Sequence, residues 1–353
     1  MNKYLLVLFY VIITTSSCKK DSGGTDPIIT PVIPANTFTN PLLSSGPDPW
    51  VIKKDNFYYY SHTLGNRIAL WKTQKMSELK NAAVQTVWTA PSSGPNSRNV
   101  WAPELHFFNN KWYLYYTAGA TSDLNTQRSF VLENDSDDPR VGTWVDKGKI
   151  FDPNADFFAI DGTIFTHNGI NYYLWSGETS ATDHTQSIYI ARMSNPWTLE
   201  TGRTLISTPQ FNWEINGAPP KVNEGPEILK SAAGKIFLVY SASGCWTDEY
   251  ALGILTLKDG ADPLVTSNWT KTPSPVFTKN TSGGAYGPGH NAFFKSADGT
   301  EDWMIYHANP SAGLGCGDSR NPRMQKLTWN ADGTPNFGQP VAAGASIAKP
   351  SGE

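Results

Sequence analysis

One pattern recurs five times along this chain: a turn carrying Pro or Gly, a short apolar strand, a polar turn, and a second strand rich in aromatic or β-branched residues. The copies are GPDPWVIKKDNFYYYSH from Gly46, WAPELHFFNNKWYLYYTA from Trp101 and AIDGTIFTHNGINYYLWSG from Ala159, followed by NEGPEILKSAAGKIFLVYSAS from Asn223 and GPGHNAFFKSADGTEDWMIYHA from Gly287. Each has a hairpin turn at its middle: Lys54-Asp55-Asn56, Asn109-Asn110-Lys111, Asn168-Gly169, Ala233-Gly234 and Asp298-Gly299. Tight hairpin turns need backbone with positive φ, which Asn, Asp and Gly adopt most readily. The second strands begin near Phe57, Trp112, Tyr172, Ile236 and Trp303, a spacing of about 55–67 residues. That is long for a solenoid and suits four-stranded propeller blades with extended loops.

Further strands fit between the pairs. Ile68–Trp71 and Ser187–Ala191 read as third strands, and Asn195-Pro196-Trp197 and Asn268-Trp269-Thr270 lead into fourth strands. The chain is therefore predicted to be all-β, a five-bladed β-propeller over residues 37–349 with the first strand of each blade innermost. An irregular β-sandwich does not predict five copies of one hairpin. The 30 Gly, 25 Pro and 12% aromatic residues agree with many short strands joined by turns. A net charge of −3 argues against a nucleic-acid partner, which calls for a clustered basic surface, and is compatible with neutral sugars.

The N-terminus has a different character. Lys3 precedes an apolar run from Tyr4 to Ile13, then Thr14-Thr15-Ser16-Ser17-Cys18. The run is about half of what a bilayer span needs, so it reads as a cleavable signal peptide. Cys18 after small residues resembles a bacterial lipoprotein processing site, although Thr15 stands where Leu is usual. Residues 1–18 are thus expected to be a lipoprotein signal peptide and 19–36 a flexible tether, placing an exported protein on the bacterial outer membrane by a lipid anchor. An ordinary signal peptide with an incidental Cys is the alternative. Cys245 and Cys316 lie in Gly-rich loops at matching points of successive repeats, and either pair as a disulfide or remain two free loop thiols.

In a propeller the start of every innermost strand points at one axial cavity. Three of these corners carry an acid bounded by Pro or Gly: Asp48 in PDP, Asp161 in IDG and Glu224 in EGP. The Pro residues around Asp48 bias it towards extended backbone. Carboxylates that are distant in sequence but equivalent in a repeat converge in space. Glycoside hydrolysis uses such a set: one carboxyl protonates the leaving oxygen, another serves the attacking water, and a third raises the proton affinity of the acid.

As a set, GPDPW, WAPELH, AIDGT, NEGPEI and YGPGHNAFF resemble glycoside hydrolase family 43, with the similarity running over residues 38–345. The resemblance implies a five-bladed propeller that inverts anomeric configuration, with Asp48 as general base, Glu224 as general acid and Asp161 orienting the acid and raising its pKa. The catalytic carboxyls would then stand about 6.5–9.5 Å apart. It also implies Trp101 of the WAP motif as a substrate contact and Arg323, in NPRMQKL, as an Arg entering the pocket from the last blade. Many relatives place a His like His290 beside a calcium or sodium ion on the axis; a buried, hydrogen-bonded His is the competing reading. The chemistry itself needs no cofactor. Trp50 and Trp246 lie at blade corners where a sugar face could stack. Glu104 reads as a brace for Trp101, and Glu227 as a partner for a neighbouring blade.

RIALWKTQKMSEL, NGAPPKVNEGPEIL and LTWNADGTPNFGQP look like the exo-acting α-L-arabinofuranosidase branch, whose substrates are plant cell-wall arabinan, arabino-oligosaccharides and arabinoxylan side chains. Endo-arabinanase and β-xylosidase are the alternatives within the family; the β-xylosidases commonly add a C-terminal β-sandwich, for which the residues after the fifth blade leave no length. An inactive glycan-binding propeller is the alternative from another class, and it has no need for three acids at inner corners. A phosphorolytic propeller would need an Arg or Lys cluster near Asp48, and the sequence offers none.

Overall fold

The hairpins form where the repeat places them. The computed structural model describes residues 36–353; the signal segment, Cys18 and the tether up to residue 35 lie outside the described residues. The turn residues Asp55, Asn110 and Asn168 take φ of 55°, 58° and 51°, and Gly169, Gly234 and Gly299 are likewise left-handed.

Five antiparallel sheets follow in chain order, each a blade. The first three strands of each blade, from inside outwards, are Trp50–Lys54, Phe57–Ser61 and Arg67–Thr73 in blade one and Arg98–Phe108, Lys111–Gly119 and Arg128–Asn134 in blade two. Blade three has Ala159–His167, Ile170–Glu178 and Gln186–Asn195, blade four Asn223–Lys230, Ile236–Ala242 and Ala251–Leu257, and blade five Tyr286–Lys295, Asp302–Asn309 and Asn321–Trp329. Further strands complete the outer edges, and in blade three Gln186–Asn195 pairs with two of them, Thr198–Leu199 and Thr204–Ser207. Each innermost strand touches the next in ring order, and the fifth touches the first. The ring is held shut by the segment before blade one. Leu42 N–H donates to Pro322 O at 2.8 Å, and the Asn40 amide both donates to Met324 O and accepts from Met324 N–H, each at 3.0 Å.

The core lies between blades, one apolar cluster per gap. Side chains alternate across a strand, so a middle strand can feed two gaps at once. In Ile236–Ala242 every residue is buried. Ile236, Leu238, Tyr240 and Ala242 face blade three, while Phe237 and Val239 face blade five. This is why these strands read as nearly continuous hydrophobic runs. Each such large side chain contributes about 1.5–3 kcal/mol by burial.

The innermost strands share one irregularity at their cavity end. Pairing register breaks around Ala102, Asp161, Gly225 and His290, the position that Asp48 occupies just before blade one. Their φ values are 41°, 55°, 54° and 47°, with 55° at Asp48. The expectation of extended backbone at Asp48 is therefore wrong. A bulge here turns the side chain towards the axis, and tertiary bonds outweigh the local preference set by Pro49. Each corner N–H is caught by the preceding blade. Asp48 donates to His307 Nδ1 at 3.0 Å, Ala102 to Thr63 Oγ1 at 2.7 Å and Asp161 to Thr117 Oγ1 at 3.2 Å. Gly225 donates to Asp161 Oδ2 at 3.0 Å, and His290 to Ser241 Oγ at 2.8 Å. The blade-four equivalent of Asp48 and Asp161 is thus Gly225. Glu224 enters the site from the residue before it, which corrects the reading of three equivalent acids.

Candidate active site

The five corners surround a cavity of about 180 Å³ at one end of the axis, lined by Asp48, Asp161, Glu224 and His290 together with Thr63, Trp101, Ile160, Arg320, Cys245 and Cys316. It is smaller than the roughly 300–1,000 Å³ of a drug-sized site, and suits one sugar ring.

The carboxyls have separate surroundings. Asp48 is buried, which opposes ionisation, yet Arg320 Nη1 lies 2.8 Å from Oδ1, and His290 Nδ1 lies 3.4 Å from the same oxygen. The Thr63 hydroxyl donates to Oδ2 at 2.7 Å. Together these outweigh burial and hold Asp48 well below the usual carboxylate range, so it is a fixed anion. Among the described residues no cation is paired with Glu224. Burial pushes it up to about 7; the Tyr250 hydroxyl, donating to Oε1 at 2.7 Å, and Arg320 pull it down, while the Asp48 charge adds to the rise. Asp161 is pushed well above the carboxylate range by burial and by Glu224 and Asp48, partly offset by the Gly225 N–H. That bond joins Asp161 to the residue after Glu224. The residue before it is fixed too, since the Ser176 hydroxyl donates to Asn223 O at 2.8 Å and Asn223 Nδ2 to Glu214 Oε1 at 3.1 Å. An anionic carboxylate that can take a proton from water thus shares one cavity with a carboxyl that holds one near neutral pH, the pairing that glycoside hydrolysis requires.

The sequence model of Glycosyl hydrolases family 43 matches residues 38–335. The chain belongs to this family. It is 42% identical over 325 residues to a Streptomyces avermitilis protein named extracellular exo-alpha-(1->5)-L-arabinofuranosidase, covering 90% of this chain and 66% of that protein. The chain therefore spans slightly less than two thirds of that relative's length. A Streptomyces chartreusis protein of the same name is 39% identical over 275 residues, 77% of this chain and 82% of its own. The crystal structure of an alpha-L-arabinofuranosidase from Lactobacillus brevis superposes with a TM-score of 0.82 at 36% identity, covering 87% of this chain and 98% of that one.

Against the family pattern, two sequence expectations fail. Arg323 does not reach the cavity. It is buried within blade five, where Nε donates to Asn321 Oδ1 at 2.8 Å and Nη2 to Gly284 O at 2.7 Å. Arg320, at the end of the preceding loop, meets Asp48 instead, so a cation does stand beside that acid. It is bound to Asp48, and does not form the anion-binding cluster that phosphorolysis would need. Trp50 is also elsewhere: the first residue of its strand, it donates from Nε1 to Leu105 O at 2.9 Å and lines a separate cavity of about 570 Å³ with His106 and Glu227. Trp246 is 44% exposed and donates from Nε1 to Gly217 O at 3.1 Å, on the rim beside the cavity. Trp101 lines the cavity itself.

Glu104 pairs with His106 Nε2 at 2.8 Å, and the Glu227 carboxyl on the inner strand of blade four hydrogen-bonds Glu104 on that of blade two across the propeller axis. Burial and then Glu104 push Glu227 well above the carboxylate range, so this pair shares a proton. His290 aims Nδ1 at Asp48 and, at 4.0 Å, at Asp161. Among the described residues no group of three or more His, Cys, Asp or Glu forms a metal cage. Thr63, His307, Tyr250 and Arg320 escaped sequence reading. Only Arg320 carried a signal, as the first Arg of SRNPR in a corner loop.

Proposed function

We propose that this protein is an inverting exo-α-L-arabinofuranosidase that releases terminal L-arabinofuranose from arabinan, arabino-oligosaccharides or arabinoxylan side chains. The observation that carries it is the opposed tuning of Asp48 and Glu224 in the lining of one cavity of single-sugar size. Asp48 draws a proton from a water molecule, the water oxygen bonds to the anomeric carbon, and the bond to the leaving oxygen breaks as Glu224 protonates it. Asp161 orients the Glu224 corner by accepting from Gly225 N–H, while burial and the Asp48 charge disfavour loss of the acid's proton. Trp101 and Ile160 offer apolar surface to the sugar ring. The names of the arabinofuranosidase relatives support the sugar, and the small cavity supports exo action over an open cleft. Product analysis on linear arabinan, branched arabinan and arabinoxylan is the test, with the reaction in deuterated buffer followed by NMR. Monomeric arabinose appearing first as the inverted anomer is expected; oligosaccharide products or initial retention would overturn the reading.

We further infer that the protein is exported and held at the bacterial outer membrane through acylated Cys18. The Lys3-to-Cys18 segment supports this, as do Streptomyces relatives named extracellular. Cys18→Ala should move the protein from the membrane fraction to the soluble fraction; a variant that stays in the membrane fraction would refute the anchor.

A further inference from the structure

We propose that the Cys245–Cys316 disulfide is a working part of the sugar pocket: it forms one wall and fixes the spacing of the two loops that hold the catalytic carboxyls' partners. This rests on the arabinofuranosidase reading above and assigns a positioning and substrate-contacting role within that site.

The bridge joins blades four and five, with the two Cα atoms 5.2 Å apart. Both cysteines line the cavity that contains Asp48 and Glu224. A furanose presents hydroxyls around its rim and C–H groups on its faces, so it needs apolar walls as well as hydrogen-bonding groups. Trp101, Ile160 and the bridge supply them, and the bridge does so from the side of blades four and five.

The loops it ties are the ones that carry the tuning groups. The loop after Ile236–Ala242 contains Cys245 and leads to Tyr250, whose hydroxyl donates to Glu224. The loop between Asp302–Asn309 and Asn321–Trp329 contains Cys316 and ends at Arg320, which is paired with Asp48. That second loop is mostly exposed and carries Gly313, Gly315 and Gly317. Glycine-rich exposed backbone has many conformations, and a covalent tie removes most of them. The loops also share a hydrogen bond from Gly313 N–H to Asp248 Oδ1 at 2.9 Å, which is solvent-exposed and correspondingly weak. Beneath them the blade four–blade five core is closed by Phe237, Val239, Tyr306 and their neighbours without the bridge. Cys316 is exposed and Cys245 only half-buried, so a small dithiol can reach the bond.

Treatment with dithiothreitol tests the assignment. The reagent supplies two electrons and two protons; the S–S bond breaks, two thiols form, and dithiothreitol leaves as its cyclic disulfide. Two new thiols by titration, an unchanged far-ultraviolet circular dichroism spectrum and at least a roughly tenfold fall in kcat/KM on arabinotriose are expected, restored on reoxidation. The loss should appear in KM through the missing wall. The high-pH limb of the rate profile should also move upwards, because a loosened Tyr250 withdraws less of Glu224's proton affinity. The double variant Cys245→Ser/Cys316→Ser should behave as the reduced enzyme does. Unchanged kcat/KM and pH profile in a folded, fully reduced enzyme would overturn the assignment, as would loss of secondary structure on reduction, which makes the bridge a structural staple only. An oxidised enzyme that releases no arabinose would overturn the underlying arabinofuranosidase reading; an active oxidised enzyme that is indifferent to reduction overturns only the role of the bridge.

Discussion

Glu224→Gln should lower turnover of arabino-oligosaccharides by roughly a hundred- to ten-thousand-fold, the usual worth of a positioned general acid. Gln keeps the shape of Glu, and its side-chain oxygen can still accept from the Tyr250 hydroxyl, so binding and fold should survive. What it lacks is a proton to give. An aryl arabinoside whose phenolate leaves without protonation should therefore be hydrolysed at close to the original rate. The pH profile supplies a second signature. Glu224 is active when protonated, and that fraction falls as pH rises through about 7. The wild-type rate should fall with it, while Asp48, held far below the usual carboxylate range, stays ionised throughout. On the aryl substrate the variant should show no such high-pH limb. Equal losses on both substrates would mean that Glu224 is not the acid.

Asp48→Asn should produce a loss of similar size with the opposite signature. Without the base, water attack is slow whatever leaves, so the activated aryl substrate should give no rescue. The substitution also removes a buried negative charge that raises Glu224, and leaves Arg320 without its partner. The high-pH limb of the residual activity should move to lower pH for the first reason. Steady-state kinetics of the variant on both substrates decides the matter: near-wild-type turnover of the aryl arabinoside would show that Asp48 does not activate the water.

Much of this architecture was legible because it repeats. A hairpin with Asn-Gly or Asp-Gly at its middle is a local signal, and five of them at blade spacing leave few alternatives to a propeller. The corner acids were legible for the same reason, since the start of an inner strand must face the axis. Where the argument needed a single residue's direction it lost force. Arg320 and Arg323 are three positions apart in one segment, and the sequence does not say which precedes the strand and swings over the cavity. Trp50 follows a corner as closely as Trp101 belongs to one, yet the strand carries it to the cavity formed with His106 and Glu227. Tyr250 had nothing in its neighbourhood to mark it.

By itself the sequence determined the all-β repeat, the number of blades and the presence of acids at their inner corners, because hairpin chemistry and side-chain alternation act over a few residues. Only the tertiary structure decided how those acids differ. The left-handed backbone at Asp48, against the preference of Pro49, is held by His307 of the last blade, which accepts its N–H. The ionisation of Asp48 depends on Arg320, His290 and Thr63, and Glu224 keeps its proton through burial and the Asp48 charge against the pull of Tyr250; these groups arrive from distant turns of the chain. Charges and hydrogen bonds act through space at a few ångströms, and which groups come that close is settled only when the ring of blades has closed.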